Sequence, residues 1–251
     1  MVGKEFLTLA MNIGEQMLVS GAEVNRVEDS ITRLCRAYGA TRVDVFTITS
    51  SIVVTAQFKG GSTVTQTRRI YNYRTDLDKL DKLNNLSRYI CDQKPDLTYI
   101  KRELEKINES KTYSILVQHL SYALIAEAFT VFFGGQLVDA IVAALIGALL
   151  KWLISLIQKA KINIVFVNLL CSFVVGILAE LSVKIGVGHD PEKIMIGNIM
   201  LLIPGIALTN SIRDIISGDT ISGMLRLCEA IVLASFVAIG FGLASAFFGG
   251  I

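Results

Sequence analysis

The second half of the chain consists almost entirely of long apolar segments, and this limits the possible folds more than any other feature. Each segment has about 20 residues, the length that an α-helix needs to cross a hydrocarbon core of about 30 Å. Charge divides the chain in the same way, since residues 1–111 contain 17 Lys/Arg and 14 Asp/Glu, whereas residues 112–251 contain only 7 and 8. We therefore expect an α-helical polytopic membrane protein with an N-terminal cytoplasmic α+β domain over residues 1–111. The transmembrane domain, residues 112–251, is predicted to contain about five helices, at 114–133, 136–157, 163–185, 194–216 and 224–248.

Lysine and arginine are distributed unevenly between the predicted membrane helices. The connection between the second and third helices is flanked by Lys151, Lys159 and Lys161, and the connection between the fourth and fifth is flanked by Arg213 and Arg226. Because Lys and Arg collect in cytoplasmic loops, this bias places residues 1–111 in the cytoplasm and the C-terminus outside the plasma membrane. The first residues contain no basic region followed by an apolar run, so we expect no signal peptide.

Residues 1–111 change their hydrophobic period twice. Apolar residues recur at helical spacing over 6–17 and 24–38, with Gly21 between the two runs. Alternation over 52–58, a glycine turn at 59–62 and a returning run at 63–70 predict a β-hairpin. A further β-rich run covers 42–49, and two helical patterns follow at 77–90 and 97–107. Helices, a small antiparallel sheet and further helices together predict an α+β domain.

This N-terminal domain contains no recognisable catalytic motif. Both histidines, His119 and His189, lie outside it, and it has no serine elbow, phosphate loop or metal-ligand spacing. We therefore expect no catalytic residues, no cofactor and no metal ion, and the even charge balance argues against a nucleic-acid partner. The four cysteines form no Cys-x-x-Cys or Cys/His cluster, so neither disulfides nor a zinc site are predicted.

One dense polar cluster near the N-terminus has two interpretations. It comprises Glu23, Asn25, Arg26, Glu28 and Asp29. These residues form either the solvated face of the second helix, with Asp29 and Arg33 paired at i,i+4, or a gate or docking surface.

Polar side chains within the apolar segments are the main functional lead. An ionisable group at membrane depth costs about 2.5–3.5 kcal/mol on insertion scales, so it usually faces a cavity or a partner. His119 and Glu127 lie on one broad face of the first segment and are candidates for proton coupling, as is Glu180. The alternative is a structural hydrogen bond for Glu127 and interfacial positions for His119 and Glu180. Asp139 weakens the start of the second segment, so a re-entrant element is an alternative to five full spans.

The fourth apolar segment carries the sharpest signal. Pro204 removes a helix hydrogen bond and Gly205 loosens the backbone, and transporters use such broken helices to hold small polar substrates. Asn210, Arg213 and Asp214 follow on one polar face. Arg213 would bind a substrate carboxylate, and Asp214 would hold Arg213 in the empty site or meet an amino group. We interpret six residues as substrate or gating residues: Asn198, Pro204, Gly205, Asn210, Arg213 and Asp214. The alternative is a proline kink with an interfacial polar end.

Small residues cluster in two of the apolar segments, as expected where helices pack closely in lipid. The second segment contains Ala140, Ala143, Ala144, Gly147 and Ala148, and the fifth contains Gly240, Gly242, Ala244 and Ala246.

Three motifs resemble the threonine/serine exporter family. They are Ser20 to Asp29, Arg68-Arg69-Ile70 with Asp76-Leu77 and Asn84 to Arg88, and Pro204-Gly205 through Asp214 with Gly218-Asp219. The resemblance covers nearly the whole chain and implies a cytoplasmic domain followed by membrane helices. Some members have a second membrane half that this chain lacks, so it resembles the N-terminal subunit of the split type, similar to the larger subunit of two-component succinate exporters. That likeness implies a separate small membrane subunit as partner.

The leading hypothesis is a subunit of a secondary transporter that exports threonine, serine or a dicarboxylate such as succinate. No nucleotide-binding motif is present, which favours an ion gradient over ATP. The expected partners are the lipid bilayer, the small polar metabolite and the second subunit, with a homo-oligomer as a further option. The alternatives are a membrane-anchored sensor or assembly protein and a membrane-tethered hydrolase.

Overall fold

The computed structural model describes residues 2–71, 73–110, 113–158 and 162–249. Lys159 and Lys161, which entered the charge bias above, lie outside these residues. Contacts divide the chain into two compact units. The first comprises Met1–Lys111 and Ile206–Cys228, and the second comprises Thr112–Gly205 and Glu229–Ile251. Residues 206–228, which include the start of the last long helix, group by contacts with the N-terminal residues. The predicted domain bounds, 1–111 and 112–251, stay a prediction.

Four helices and a sheet form the apolar core of the first unit. The helices are α1 (Val2–Val19), α2 (Val24–Ala37), α3 (Leu77–Gln93) and α4 (Leu97–Asn108), and the strands are β1 (Ala40–Ile48), β2 (Ser51–Phe58) and β3 (Thr63–Arg69). Gly21 separates α1 from α2 with a φ of +100°, a left-handed conformation that favours glycine. Asp76 caps α3, because its carboxylate accepts a hydrogen bond of 3.0 Å from the Lys79 N–H.

The sheet is antiparallel in the order β1-β2-β3. Val54 in the central strand pairs with Val45 on one side and Gln66 on the other. The alternating residues Ile52, Val54 and Ala56 of β2 are completely buried in the core, and α1 packs on this side. The strands and the hairpin predicted from alternation are therefore confirmed.

Four helices are long and apolar enough to cross a membrane within the described residues. They are α5 (Ile115–Phe132), α6 (Leu137–Gln158), α7 (Ile164–Lys184) and α10 (Thr220–Phe247). They match the predicted first, second, third and fifth segments, although α10 begins at Thr220 rather than near residue 224.

The predicted fourth segment, residues 194–216, is not one continuous helix. It consists of α8 (Pro191–Ile199) and α9 (Gly205–Ile216), with turns between them. The Leu202 N–H bonds the Ile199 carbonyl at 2.9 Å, an i to i−3 bond that tightens the end of α8. Pro204 has no N–H with which to continue the helical ladder. The Pro204-Gly205 break is therefore confirmed, and it leaves two helices that are each too short to be counted as a span.

Small residues let the helices of the second unit approach closely. A Cβ atom added at Gly147 in α6 would lie 2.8 Å from the Tyr122 carbonyl oxygen of α5. One added at Gly240 in α10 would lie 2.6 Å from the Leu169 carbonyl oxygen of α7. Gly242 faces open space, so only part of the predicted small-residue cluster in the last helix lies at a contact.

We expect Gly147→Val to destabilise the folded protein, because the Tyr122 backbone cannot move without separating α5 from α6. Overpacking of this kind costs about 1–3 kcal/mol. Gly242→Val is the matched control, since nothing lies within 4 Å of the added atom. Thermal unfolding of the purified variants in detergent measures the difference. Equal melting temperatures for the two variants would show that the glycine at position 147 is not needed for packing.

Candidate functional site

Polar residues of α9 bind the turn that joins α1 to α2. The Asn210 amide donates a hydrogen bond of 2.8 Å to the Gly21 carbonyl. The Asp214 carboxylate accepts one of 3.1 Å from the Val24 N–H. Val24 is the first residue of α2, and the residue before it makes no side-chain capping hydrogen bond. Asp214 thus caps α2 from 190 positions away, where a carboxylate also complements the positive end of the helix dipole.

Asp214 forms a second contact, a buried ion pair with Arg226 of α10. The Arg226 Nη1 and Asp214 Oδ2 atoms are 3.1 Å apart, and the side chains are only 9% and 0% exposed. The pair is an ionic contact without hydrogen-bond geometry at these two atoms. Burial raises the pKa of Asp214, while Arg226 and the Val24 N–H act to lower it. The Arg226 guanidinium therefore compensates a carboxylate charge that burial disfavours.

Arg213, the residue before Asp214, forms a more exposed ion pair with Glu23. Their side chains are 57% and 21% exposed. Ion pairs at such exposure contribute about 0–1 kcal/mol, because water competes for both charges. Adjacent residues of α9 thus form two ion pairs of different kinds, one buried and one accessible. Glu23, and not Asp214, is the ion-pair partner of Arg213 here, and the predicted roles of Arg213 and Asp214 toward a substrate stay predictions.

The end of α9 fixes the position of α10. Gly218 has a φ of +96°, and its N–H bonds the Ile215 carbonyl at 3.1 Å. The Asp219 N–H bonds the Asp214 carbonyl at 2.9 Å, so the two bonds form a Schellman motif. A Cβ atom at Gly223 would lie 2.7 Å from the Ser211 carbonyl oxygen, which shows how closely α10 begins against α9. This tight turn brings Arg226 back to Asp214.

A second polar chain ties α10 to the sheet of the first unit. The buried Ser222 hydroxyl donates to the Thr47 carbonyl at 3.1 Å, and the Thr47 N–H donates to Glu28 Oε1 at 2.6 Å. Burial raises the pKa of Glu28, the nearby Asp219 carboxylate raises it further, and the bonds from Thr47 lower it. Glu28 is therefore not part of a fully solvated helix face, as one interpretation of the N-terminal polar cluster had it.

Comparison with known proteins gives the family. The ThrE threonine/serine exporter family matches residues 8–248. The chain belongs to this family. It is 23% identical over 244 residues to the "Threonine/serine exporter" of Corynebacterium glutamicum, which covers 94% of the chain and 50% of that protein. It is 22% identical over 245 residues to the "Probable succinate transporter subunit YjjP" of Escherichia coli K12, with 96% and 94% covered. A protein of the same name from Klebsiella aerogenes is 22% identical over 237 residues, with 93% and 90% covered.

The chain of this family member spans about half the length of the first curated relatives that it matches. The share is 50% for the Corynebacterium protein and 45% for a "Probable threonine/serine exporter" of Mycobacterium tuberculosis. No solved structure matches the chain significantly.

Two of the three family motifs meet at α9. The Ser20–Asp29 motif supplies Gly21, Glu23 and Val24, and the motif around Pro204 supplies Asn210, Arg213 and Asp214. Of the N-terminal polar cluster, Glu23 contacts α9 and Glu28 binds the sheet. Asn25 is exposed, and Arg26 and Asp29 line a separate cavity.

Asn198 lies in the second unit of this family member. Its side chain is completely buried, and its amide donates to the Ile194 carbonyl at 3.0 Å and the Ala143 carbonyl at 3.3 Å. Its Oδ1 atom has no partner in the described part of the chain. These bonds tie α8 to α6, and a substrate role for Asn198 stays a prediction.

The residues predicted for proton coupling are not joined directly. His119 Nδ1 lies 2.8 Å from the Ile115 carbonyl oxygen of its own helix. Glu127 follows eight positions later in α5, about 12 Å along the axis. Glu127 and Glu180 are both half-buried. Proton coupling by these three side chains stays a prediction, without a direct His119–Glu127 hydrogen bond.

The sequence did not predict the buried contacts of three residues. Arg226 was counted as a loop charge, although it lies within α10 and is paired with Asp214. Asp139 was treated as a polar interruption of a membrane segment, but its buried carboxylate accepts the His189 N–H at 2.7 Å. No motif or spacing in the sequence identified Ser222. The one available signal for Arg226 was its place just after the Gly218-Asp219 turn, where a helical hairpin brings the chain back to Asp214.

We expect Arg226→Leu to make stability strongly dependent on pH. Without Arg226, Asp214 is a buried charge without a cation, and breaking a buried pair costs about 3–5 kcal/mol. Its folded-state pKa, already raised above the ordinary value of 3.8, then rises further. A folded state that holds the proton more tightly than the unfolded state loses stability as pH increases between the two pKa values. The variant should therefore be less destabilised at about pH 5 than at about pH 8.

Arg213→Leu is the control, because it removes an arginine from the adjacent exposed pair. It should change stability by only about 0–1 kcal/mol, with the pH profile of the wild type. Melting temperatures in detergent at the two pH values provide the measurement. A wild-type pH profile for Arg226→Leu would mean that Asp214 does not depend on Arg226 for its charge.

Proposed function

We propose that this chain is a subunit of a secondary transporter that exports a small polar metabolite across the plasma membrane. The candidate substrates are threonine or serine, or a dicarboxylate such as succinate, because relatives carry the names of both kinds of transporter. The family match and four helices apolar enough to cross a membrane support this proposal. A transporter accounts for both the family match and the membrane helices, so we favour it over a hydrolase or a sensor.

The accessible Arg213–Glu23 pair is the observation that carries the site assignment. Every candidate substrate has a carboxylate, and the planar guanidinium of arginine binds a carboxylate through two parallel hydrogen bonds. Glu23 presents the same group to Arg213 within the protein. A substrate carboxylate would therefore compete with Glu23, and the exchange is inexpensive because an exposed pair is weakly stabilising. Asp214, bound by Arg226 and Val24, holds α9 in place during the exchange.

The proposed membrane topology has five crossings, with residues 1–111 in the cytoplasm. Helices α5, α6 and α7 cross in turn and leave the end of α7 outside. Residues 206–228 form one compact unit with residues 1–111, so the chain has to return to the cytoplasmic side between 185 and 205. Helix α10 then crosses outward. The hydrogen bond from His189 to Asp139 fits this topology, since the loop before α8 and the start of α6 then lie at the same outer end.

A separate small membrane subunit is the proposed partner. Relatives similar over 90% and 94% of their own length are named as transporter subunits, which implies at least one further component in those systems. The absence of a nucleotide-binding motif in the sequence favours an ion gradient as the energy source. A homo-oligomer is compatible with the same proposal.

We expect Arg213→Lys to reduce efflux at least several-fold, since lysine keeps the charge but loses the bidentate fork. Glu23→Gln should lower the apparent KM, because the internal competitor of the substrate carboxylate is removed. Asp44→Asn is the matched control, since it breaks another exposed pair of the same unit, with Arg42. Efflux from proteoliposomes, with and without the second subunit and normalised to folded protein, is the measurement. Unchanged efflux in Arg213→Lys would refute the site.

The five-crossing topology predicts that a reporter fused after residue 251 reads as external. A reporter fused after residue 111 is the control and should read as cytoplasmic. Alkaline phosphatase and green fluorescent protein fusions at both positions give opposite signals on the two sides. A cytoplasmic signal at both positions would mean four crossings, with the segment between α7 and α10 failing to traverse the membrane.

A further inference from the structure

A polar cavity of about 380 Å³ lies between α2 and α3 in the first unit. This volume is within the range of small-molecule sites. Its lining includes Arg26, Asp29 and Arg33 of α2, and Arg88 and Asp92 of α3. Arg26 and Asp29 belong to the N-terminal polar cluster, and Arg88 ends another family motif. The α9 site uses none of these side chains.

Most polar groups around this cavity already have a partner within the protein. Arg33 Nε is 2.9 Å from Asp29 Oδ1. The Ser87 hydroxyl donates to the Asn84 carbonyl at 2.9 Å, and the Asn84 amide donates to the Leu80 carbonyl at 2.8 Å. These bonds leave few side-chain donors free for a ligand.

Arg26 and Arg88 are the exceptions. Neither guanidinium forms an ion pair with any acid in the described ranges. The two side chains come from different helices and line the same cavity. Each offers a planar group of donors that matches a carboxylate or phosphate.

The charge of the lining favours an anion. Three arginines face two aspartates, and the Arg33–Asp29 pair is neutral as a whole. Cys91 adds no negative charge near neutral pH, because burial raises the pKa of its thiol and Asp92 raises it further. Arg33 lowers this pKa by less, and Asp29 has the smallest effect. The remaining groups are two unpaired arginines and Asp92, so the cavity is positive before a ligand enters.

We propose that this cavity is a binding site for a small dianion, a dicarboxylate or inorganic phosphate, held between Arg26 and Arg88. Two negative groups on one ligand match two guanidinium groups that come from different helices. A zwitterionic amino acid fits less well, since it offers only one carboxylate for two arginines. The site is distinct from Arg213 and Glu23, and its occupancy is measured as binding, so the proposal does not depend on transport.

The test is calorimetric titration of the purified full chain in nanodiscs with succinate, inorganic phosphate or threonine. We expect at least one dianion to bind, and Arg26→Gln and Arg88→Gln each to weaken its Kd at least tenfold. Arg36→Gln is the matched control, because it removes the same charge from an exposed position of α2 outside the cavity. The titrations are made in an Arg213→Lys background, so that the proposed substrate site contributes little to the measured binding. Melting temperatures without ligand verify that the variants are folded, as expected for exposed arginines.

Comparison of the Kd of succinate with that of inorganic phosphate identifies which dianion the cavity prefers. Three results would overturn the proposal. The first is no binding of either dianion at about 10 mM, a concentration that reveals even millimolar affinity. The second is dianion binding that survives both cavity substitutions in that background. The third is threonine binding as tight as that of the dianions.

Discussion

The buried carboxylate of Asp214 is the contact on which the arrangement of the first unit depends. One oxygen caps α2 at Val24, and the other lies against Arg226 of α10. The carboxylate therefore joins three segments that are far apart in sequence. A buried charge that loses its partner is strongly destabilising, whereas the complete pair is tolerated. The start of α2, the end of α9 and the start of α10 consequently form a stable cluster only when all three are in place.

The neighbouring ion pair of Arg213 with Glu23, in contrast, can open without destabilising the cluster. Because Arg213 and Glu23 remain partly exposed, water and other ions compete for both charges, and the pair can open at little cost. Because the two ion pairs are formed by adjacent residues of α9, one pair can hold the helix while the other opens. α9 can stay bound to α2 through Asp214 while Arg213 changes partners. A site in which both pairs were buried would hold its helices equally well but would release Arg213 far more slowly.

Local features of this fold were predictable, whereas its distant contacts were not. Alternation of apolar residues and a glycine turn identified the hairpin over 52–70, and Pro204 marked the break before α9. Hydropathy and charge counts do not reveal the pairing of Arg226 with Asp214, because they indicate whether a residue is in water or lipid but not which residue it contacts. The turn at Gly218-Asp219 is the one local indication of it. The same limit explains Asp139, whose capping bonds reach residues 50 and 51 positions away. It also explains why the grouping of residues 206–228 with residues 1–111 is not visible in the composition.

The break between α8 and α9 is compatible with a membrane crossing only if protein rather than lipid surrounds it, since lipid cannot satisfy free backbone groups. The helix that leads into the break is enclosed in this way, and Leu202 within the turns is also buried. Ile194 and Asn198 are completely buried, and a Cβ atom at Gly197 would lie 2.6 Å from the Ala126 carbonyl oxygen of α5. With nine residues, α8 is about 13 Å long and spans less than half of a hydrocarbon core of about 30 Å. The turns that end at Pro204 form the rest of the proposed fourth crossing. A short, enclosed helix followed by irregular backbone therefore fits the proposed fourth crossing.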